Sequence, residues 1–300
     1  MKQTAIFLFL ISAISLQSIA QYDYVSDPYY TSKYSVELGG SLGVMNSFTD
    51  LGGHKGIGKG FITDLNIGNT KLAGSVYVSI AYQNFIVLRF EGSYGYVKAN
   101  DHALTKNSGD AIFRYSRNLS FRSEINEIML ATEIHPVYAR RYAAGEHIPL
   151  LSPYLVGGIG YFSFKPQAHL DGNWVSLQPL STEGQGFSEY PDRKKYSLHQ
   201  FNFPVGAGLK YKFSPVVNGA VECVYRILNT DYLDDVSTNY IDREVFSKHL
   251  TGKNLENALL LNDRKNEINP SLSAFPGEQR GNPGKNDAYF TINFKLGLVF

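Results

Sequence analysis

Residues 230–242, TDYLDDVSTNYID, gather the carboxylates Asp231, Asp234, Asp235 and Asp242 and two tyrosines into one short stretch. Clustered carboxylates and carbonyls suit calcium, and a close carboxylate pair suits acid–base work. The third reading is a structural rim or partner contact. The spacing is not that of an EF-hand loop, and no metal ligand set is assigned. Other patterns match catalytic motifs only as text. GGSLG (39–43) has the spacing of a nucleophile elbow, but the elbow needs a strand turning sharply into a helix, and Ser41 lies mid-strand. GHKGIGKG (53–60) resembles a phosphate-binding loop, yet Gly60 stands where Ser or Thr must hold magnesium. His54, His102, His135, His147, His169, His199 and His249 show no zinc spacing. His135 and His199 read as polar-face residues with structural hydrogen bonds. No residue set points to an enzyme, and no cofactor is implied.

The elements that position these residues show a period of two. In HQFNFPVGAGLKYKF, Phe201, Phe203, Val205, Ala207, Leu209, Tyr211 and Phe213 share one face, and Gln200, Asn202, Lys210 and Lys212 share the other. Phe290 to Phe300 repeat this pattern, as do segments around Leu38, Val78, Phe90, Leu130 and Cys223. PYLVGGIGYFSF (153–164) is a further strand whose two faces look alike. The aromatic share is 14%, with 21 Tyr, 19 Phe and 28 Gly, which favours strands and turns over helices. Net charge +1 and mean hydropathy −0.19 point to no nucleic-acid partner. Cys223 is the one cysteine and forms no intrachain bridge.

The chain opens with MKQTAIFLFLISAISLQSIA, which has the layout of a secretory signal peptide over residues 1–20. Residues 21–33 then read as a periplasmic segment, and 34–300 as the barrel. Tight connections near 83–84 and 214–216 alternate with long ones near 46–72, 97–122, 165–196 and 229–287, and only the link at 140–152 blurs the rule. These features predict an all-β fold. It is an antiparallel transmembrane β-barrel of about eight strands, with long extracellular loops and mostly short periplasmic turns. Such a barrel is just wide enough for side chains to fill. Glu37, Arg89, Glu91, Glu127, Glu133, Glu222 and Arg226 fall on the polar faces and would meet inside as a paired network, because unpaired buried charges are costly. Cargo cannot pass a barrel filled in this way. The stretch VFSKHLTGKNLENALLLNDR predicts a short surface helix that packs over the barrel mouth or docks on a partner.

GNWVSLQPLSTEGQG, EYPDRKKYSLHQFNFPVGAGLKYKF, VECVYRILNTDYLDDVSTNYIDRE and RGNPGKNDAYF together resemble one family over roughly residues 150–300. That family is the small outer-membrane barrels of Bacteroidota that include the PorG component of the type IX secretion system. Trp174, Gln178, Thr182, Glu183 and Gln185 fall on its loop motif, and Asp231, Asp234 and Asp235 on its acidic segment. The first half departs from the pattern in TDLGGHKGIGKGFITDLN and the 140–152 link, so a paralogue is the other reading. The resemblance implies a non-enzymatic accessory or anchoring part of a gliding-type secretion machinery. Its expected partners are outer-membrane lipid, a periplasmic ring that includes a lipoprotein, and the outer-membrane assembly machinery through the strand ending in Phe300. The alternative is a general surface barrel whose loops bind a ligand or stabilise the envelope.

Overall fold

The structure, a computed structural model, describes residues 33–52, 67–101, 109–140 and 149–300. The expected signal peptide, nearly all of the 21–33 segment and the GHKGIGKG loop lie outside these residues.

Nine strands form: β1 (Tyr34–Phe48), β2 (Lys71–Tyr82), β3 (Ile86–Asn100), β4 (Ser120–Ile134), β5 (Leu151–Leu170), β6 (Asn173–Ser176), β7 (His199–Ser214), β8 (Val217–Leu228) and β9 (Ala288–Val299). Eight of them close into an antiparallel barrel, and β6 folds back on the end of β5. Closure comes from β1 pairing with β9, from Glu37↔Val299 to Phe48↔Ala288, and from β4 pairing with β5. The ring therefore has no free edge, which is the condition for a sheet to sit in hydrocarbon.

Alternation sends one face of each strand outward. On β4, Ile128, Leu130 and Ile134 are exposed, whereas Ile125, Glu127, Met129, Ala131 and Glu133 are buried. On β5 the two apolar faces are now distinct. Tyr154, Val156, Phe162 and Phe164 face in, and Leu155, Ile159 and Tyr161 face out. The outer wall is a continuous apolar belt on which Leu72 is 82% and Leu42 78% exposed. A water-facing surface of that size would be an aggregation hazard, so the belt is the lipid-facing wall of an outer-membrane barrel. No helix among the described residues is long and apolar enough to cross a membrane; the strands do so instead.

His199 departs from its sequence reading. It shares the outward face with Phe201 and stacks on Tyr161 at 6.3 Å, because pairing with Ser163 sets its register.

The two ends differ. At the turn end, Gln83 (φ 51°) and Asn84 (φ 55°) form a two-residue hairpin, closed by the Phe85 N–H donating to Tyr82 O at 3.1 Å. At the other end the described parts of the long connections fold into a cap that includes α1 (Gly109–Arg117), α2 (Arg243–His249) and α3 (Gly252–Leu261). β5 has 20 residues. At about 3.3 Å per residue it is far longer than a tilted crossing needs, so its upper end helps to build the cap.

Candidate functional site

Two glycines make room for the lowest interior layer. A Cβ on Gly39 would fall 2.4 Å from the ring of Tyr77, and one on Gly208 2.3 Å from that of Tyr154. Each tyrosine is the cross-strand partner of the glycine it covers. Their hydroxyls donate to buried carboxylates, Tyr77 to Glu37 at 2.6 Å and Tyr154 to Glu222 at 2.8 Å. Arg89 is the hub between these acids. Its guanidinium meets Glu91 at 3.0 Å and Glu222 at 2.7 Å, and also bonds to Glu133. Lys295 bridges Glu91 (2.7 Å) and Glu222 (3.3 Å), and Lys210 reaches Glu37 at 3.2 Å. Neutral His135 or its cation sits beside Glu133 at 3.1 Å and Ser152 at 3.0 Å.

One layer higher, Glu127 accepts from Arg226 at 3.1 and 3.2 Å and from Asn202 at 2.7 Å. The seven residues of the expected network thus fall into two groups, five around Arg89 and the Glu127–Arg226 pair above them. Lys210, Lys295, Tyr77 and Tyr154 complete the lower group. The lysines and Tyr77, which alternates with Val76 and Val78 alongside Ser75 and Ser79, were visible on polar faces, whereas Tyr154 lies on the strand whose two faces look alike in sequence.

Above these layers the interior turns apolar. Met45, Val97, Phe121, Ile125, Phe162, Phe164, Leu228 and Tyr289 fill it and continue into Leu233 and Val236 of the cap. A second apolar cluster, built on Leu180, Phe187, Ile241, Phe246, Ala258 and Leu261, holds the cap helices down.

All four long connections converge on the polar centre of the cap. Glu183 accepts from the Ser237 N–H (3.0 Å), the Thr238 N–H (2.9 Å) and the Thr238 hydroxyl (2.7 Å), and pairs with Arg280 at 2.9 Å. Asp235 accepts from Thr182 and Tyr196, both at 2.5 Å. Asp234 takes the N–H groups of Leu51 (3.2 Å) and Val236 (3.0 Å), which ties the first connection to the last. Arg117 pairs with Asp101 at 2.7 Å and donates to the carbonyl oxygens of Arg280 (2.5 Å) and Asp50 (2.9 Å).

The opening cluster therefore splits. Asp234 and Asp235 are buried fastenings, and Asp242 is the N-cap of α2, accepting from the Glu244 N–H at 3.0 Å. Asp231 is 8% exposed, and neither carboxylate oxygen has a hydrogen bond among the described residues. In the loop motif, Gln178 donates to Tyr196 O at 3.0 Å and Gln185 accepts from the Glu183 N–H at 3.0 Å. Trp174 stands apart, on the outside of the barrel beneath Arg122. Arg280, Asp287 and Asp101 were not singled out in the sequence, because their partners lie on other connections.

Burial drives several of these acids toward the neutral form. Asp231 is pushed up to about 9, mostly by burial and further by Asp50 and Asp234, with Ser237 opposing the shift. Asp234 is raised well above the ordinary carboxylate range by burial and by Asp50, and Asp287 by burial and by Asp234, Asp231 and Asp50. Asp235 rises to about 6, held back by Arg280. No three His, Cys, Asp or Glu side chains among the described residues are arranged to hold a metal ion. Ser41 shares a 2.7 Å hydrogen bond with Ser75, a neutral partner that cannot take its proton. The arrangement fastens the long connections to one another and to the barrel.

No family model and no curated protein matches the sequence. Among solved structures, the chain is similar in fold to the attachment invasion locus protein Ail of Yersinia pestis in complex with the heparin analogue sucrose octasulfate. Identity is 9%, coverage is 90% of this chain and 100% of that one, and the TM-score is 0.38. Neisserial surface protein A gives 10% identity, 89% and 97% coverage and a TM-score of 0.38. The outer membrane protein OprG of Pseudomonas aeruginosa gives 9%, 89% and 95%, and 0.36. These values speak to fold alone. The placement in the outer membrane stands on the closed sheet and its apolar outer wall.

Proposed function

We propose that this protein is a non-enzymatic outer-membrane barrel that serves as an accessory or anchoring part of a type IX secretion machinery. The observation that supports this most is the double closure of the interior. A charged layer and an apolar layer fill the barrel from Glu37 to Tyr289, so its work lies at its surfaces and not along its axis. The segments on which the family resemblance rests, 172–186, 189–213, 221–244 and 280–290, form the cap and the strands beneath it. The short turns at 83–84 and 215–216 would then face a periplasmic ring containing a lipoprotein.

Deletion of the gene tests the reading, with expression of any paralogue followed alongside. Type IX cargo should accumulate in the periplasm and return to the medium on complementation. A photocrosslinker at Asn84 or Val216 should capture ring proteins. Normal secretion without a compensating paralogue would overturn the proposal. A second reading is favoured by the folded cap: a surface barrel whose loops bind an external ligand or stiffen the envelope. In that case, function should survive turn substitutions and be lost when residues 243–275 are trimmed.

A further inference from the structure

Cations are unevenly distributed on the outer wall. Among the described barrel strands, the Lys and Arg residues that occupy outward positions are Lys98, Arg122 and Lys165, on the consecutive strands β3, β4 and β5. Lys98 stands directly opposite Arg122, and Glu124 stands between Tyr96 and Lys165 in the next row down. With strands about 4.8 Å apart, the three Cα atoms lie within about 12 Å of one another. Like charges placed opposite each other on a sheet repel, so an anion between Lys98 and Arg122 relieves that repulsion. Glu124 offsets only part of this charge, and it already accepts from Tyr94 at 2.8 Å. Neither Lys98 nor Lys165 has an ion-pair partner among the described residues.

Arg122 is fixed in place. Its Nε donates to Gln167 at 3.1 Å and its guanidinium lies 3.8 Å from the centre of the Trp174 ring. No side-chain acceptor among the described residues takes its two terminal amino groups, which form the fork that suits phosphate oxygens. Tyr94, Tyr96 and Tyr161 sit just below as an interfacial girdle, which puts the cations at headgroup height.

A second observation points to the same class of ligand. Directly beneath, the outer wall is dented by an open groove of about 760 Å³, whose outward lining includes Leu42, Gly74, Val76, Gly92, Tyr94 and Ile128. A Cβ on Gly92 would meet nothing within 4 Å, so the dent is space left by a missing side chain. On the far side of the barrel, the outward residues near the cap are the aromatic cluster Phe48, Tyr225 and Phe290.

We propose that the outward face of β3–β5 binds a phosphate-bearing lipid of the outer leaflet. Lys98, Arg122 and Lys165 hold the headgroup phosphate, and one acyl chain lies in the groove over Gly74 and Gly92. The test uses the folded full-length barrel in nanodiscs doped with bisphosphorylated lipid A or its dephosphorylated form, with retained lipid counted by native mass spectrometry. The phosphorylated form should be retained at least roughly tenfold better, the size expected of one charge-assisted contact. Lys98→Gln with Lys165→Gln should abolish the preference. Arg122→Gln alone should reduce it, and Gly92→Ile should weaken retention of both forms. All four positions face lipid, and the heat-dependent gel shift of a folded barrel reports whether each variant has folded. Equal retention of the two lipid forms, or an unchanged preference in the double variant, would overturn the site. So would complete displacement by inorganic phosphate, which would make it a simple anion site without use for the groove.

Discussion

The lower barrel and the cap bury the same kind of side chain and hold it in different ways. In the barrel, Glu37, Glu91, Glu133 and Glu222 pair with Arg89, Lys210 and Lys295, and every one of these ion pairs except Arg89–Glu91 joins two strands. In the cap, Asp234, Asp287 and Asp50 accept main-chain N–H groups from Leu51, Leu233 and Asn282, and Asp231 lacks even that. The difference follows from what each region has to join. Antiparallel strands already satisfy their own amides, so only side chains are left to neutralise a carboxylate inside the barrel. Irregular loops leave amides unpaired, and a short Asp can collect them. Ion pairs therefore fix the lower barrel, whereas the cap adds desolvated acids to its ion pairs Glu183–Arg280 and Asp101–Arg117, and those acids make it the region that responds to protons.

The strongest way to break this comparison is Arg89→Met. The change leaves Glu91, Glu133 and Glu222 facing one another with only Lys295 and Lys210 to share. Removing one partner of a buried charge cluster costs on the order of 3–5 kcal/mol. The urea midpoint of the whole barrel in lipid vesicles should fall accordingly. An unchanged midpoint would mean that water already screens the interior. Next in size is Arg280→Leu, which strips Glu183 of its cation and should cost roughly 3 kcal/mol. Here the effect should be local. Protease should nick residues 262–287 while the barrel's urea midpoint stays put. A matching fall in both would make cap and barrel one cooperative unit.

Protons should act on the cap in a definite direction. A carboxyl whose folded pKa lies above its unfolded value of about 3.9 binds its proton more tightly when folded. Its stabilising contribution is then complete below about pH 4 and declines as pH rises. The decline ends once pH passes the folded value, about 9 for Asp231. Amide exchange across residues 229–240 should therefore quicken between pH 5 and pH 9, after correction for intrinsic rates. Asp231→Asn should flatten the profile and stabilise the cap at pH 8 by about 1–2 kcal/mol. A profile as steep as that of the native chain would place the proton uptake elsewhere.

The barrel was legible because period two is written into each strand, and even the inward charges could be placed by counting residues from an outward Phe or Leu. The cap was not legible in the same way. Glu183, Asp235 and Arg280 lie 97 residues apart at their extremes, with contacts set by how four connections cross. No period links them, and TDYLDDVSTNYID gave no sign that Asp231 and Asp234 would be buried while Asp242 capped a helix. His199 shows the limit within a strand. Its polarity suggested the interior, and the register placed it outside beside Tyr161.

The finest test removes one neutral donor from each region. Tyr77→Phe takes a hydroxyl from Glu37, which keeps Lys210 at 3.2 Å and Asn218 at 2.9 Å. Thr238→Val takes one from Glu183, which keeps two amides and Arg280. Each should cost about 1 kcal/mol, since both carboxylates retain a cation. The readouts should differ even though the energies are alike. Tyr77→Phe should lower the urea midpoint of the barrel as a whole, because Glu37 joins β1 to β2, β7 and β8 across the interior. Thr238→Val should leave that midpoint unchanged and show only as faster amide exchange at 235–240. Equal shifts of the barrel midpoint from both substitutions would mean that the cap acts as the barrel's upper layer, with no separate stability of its own.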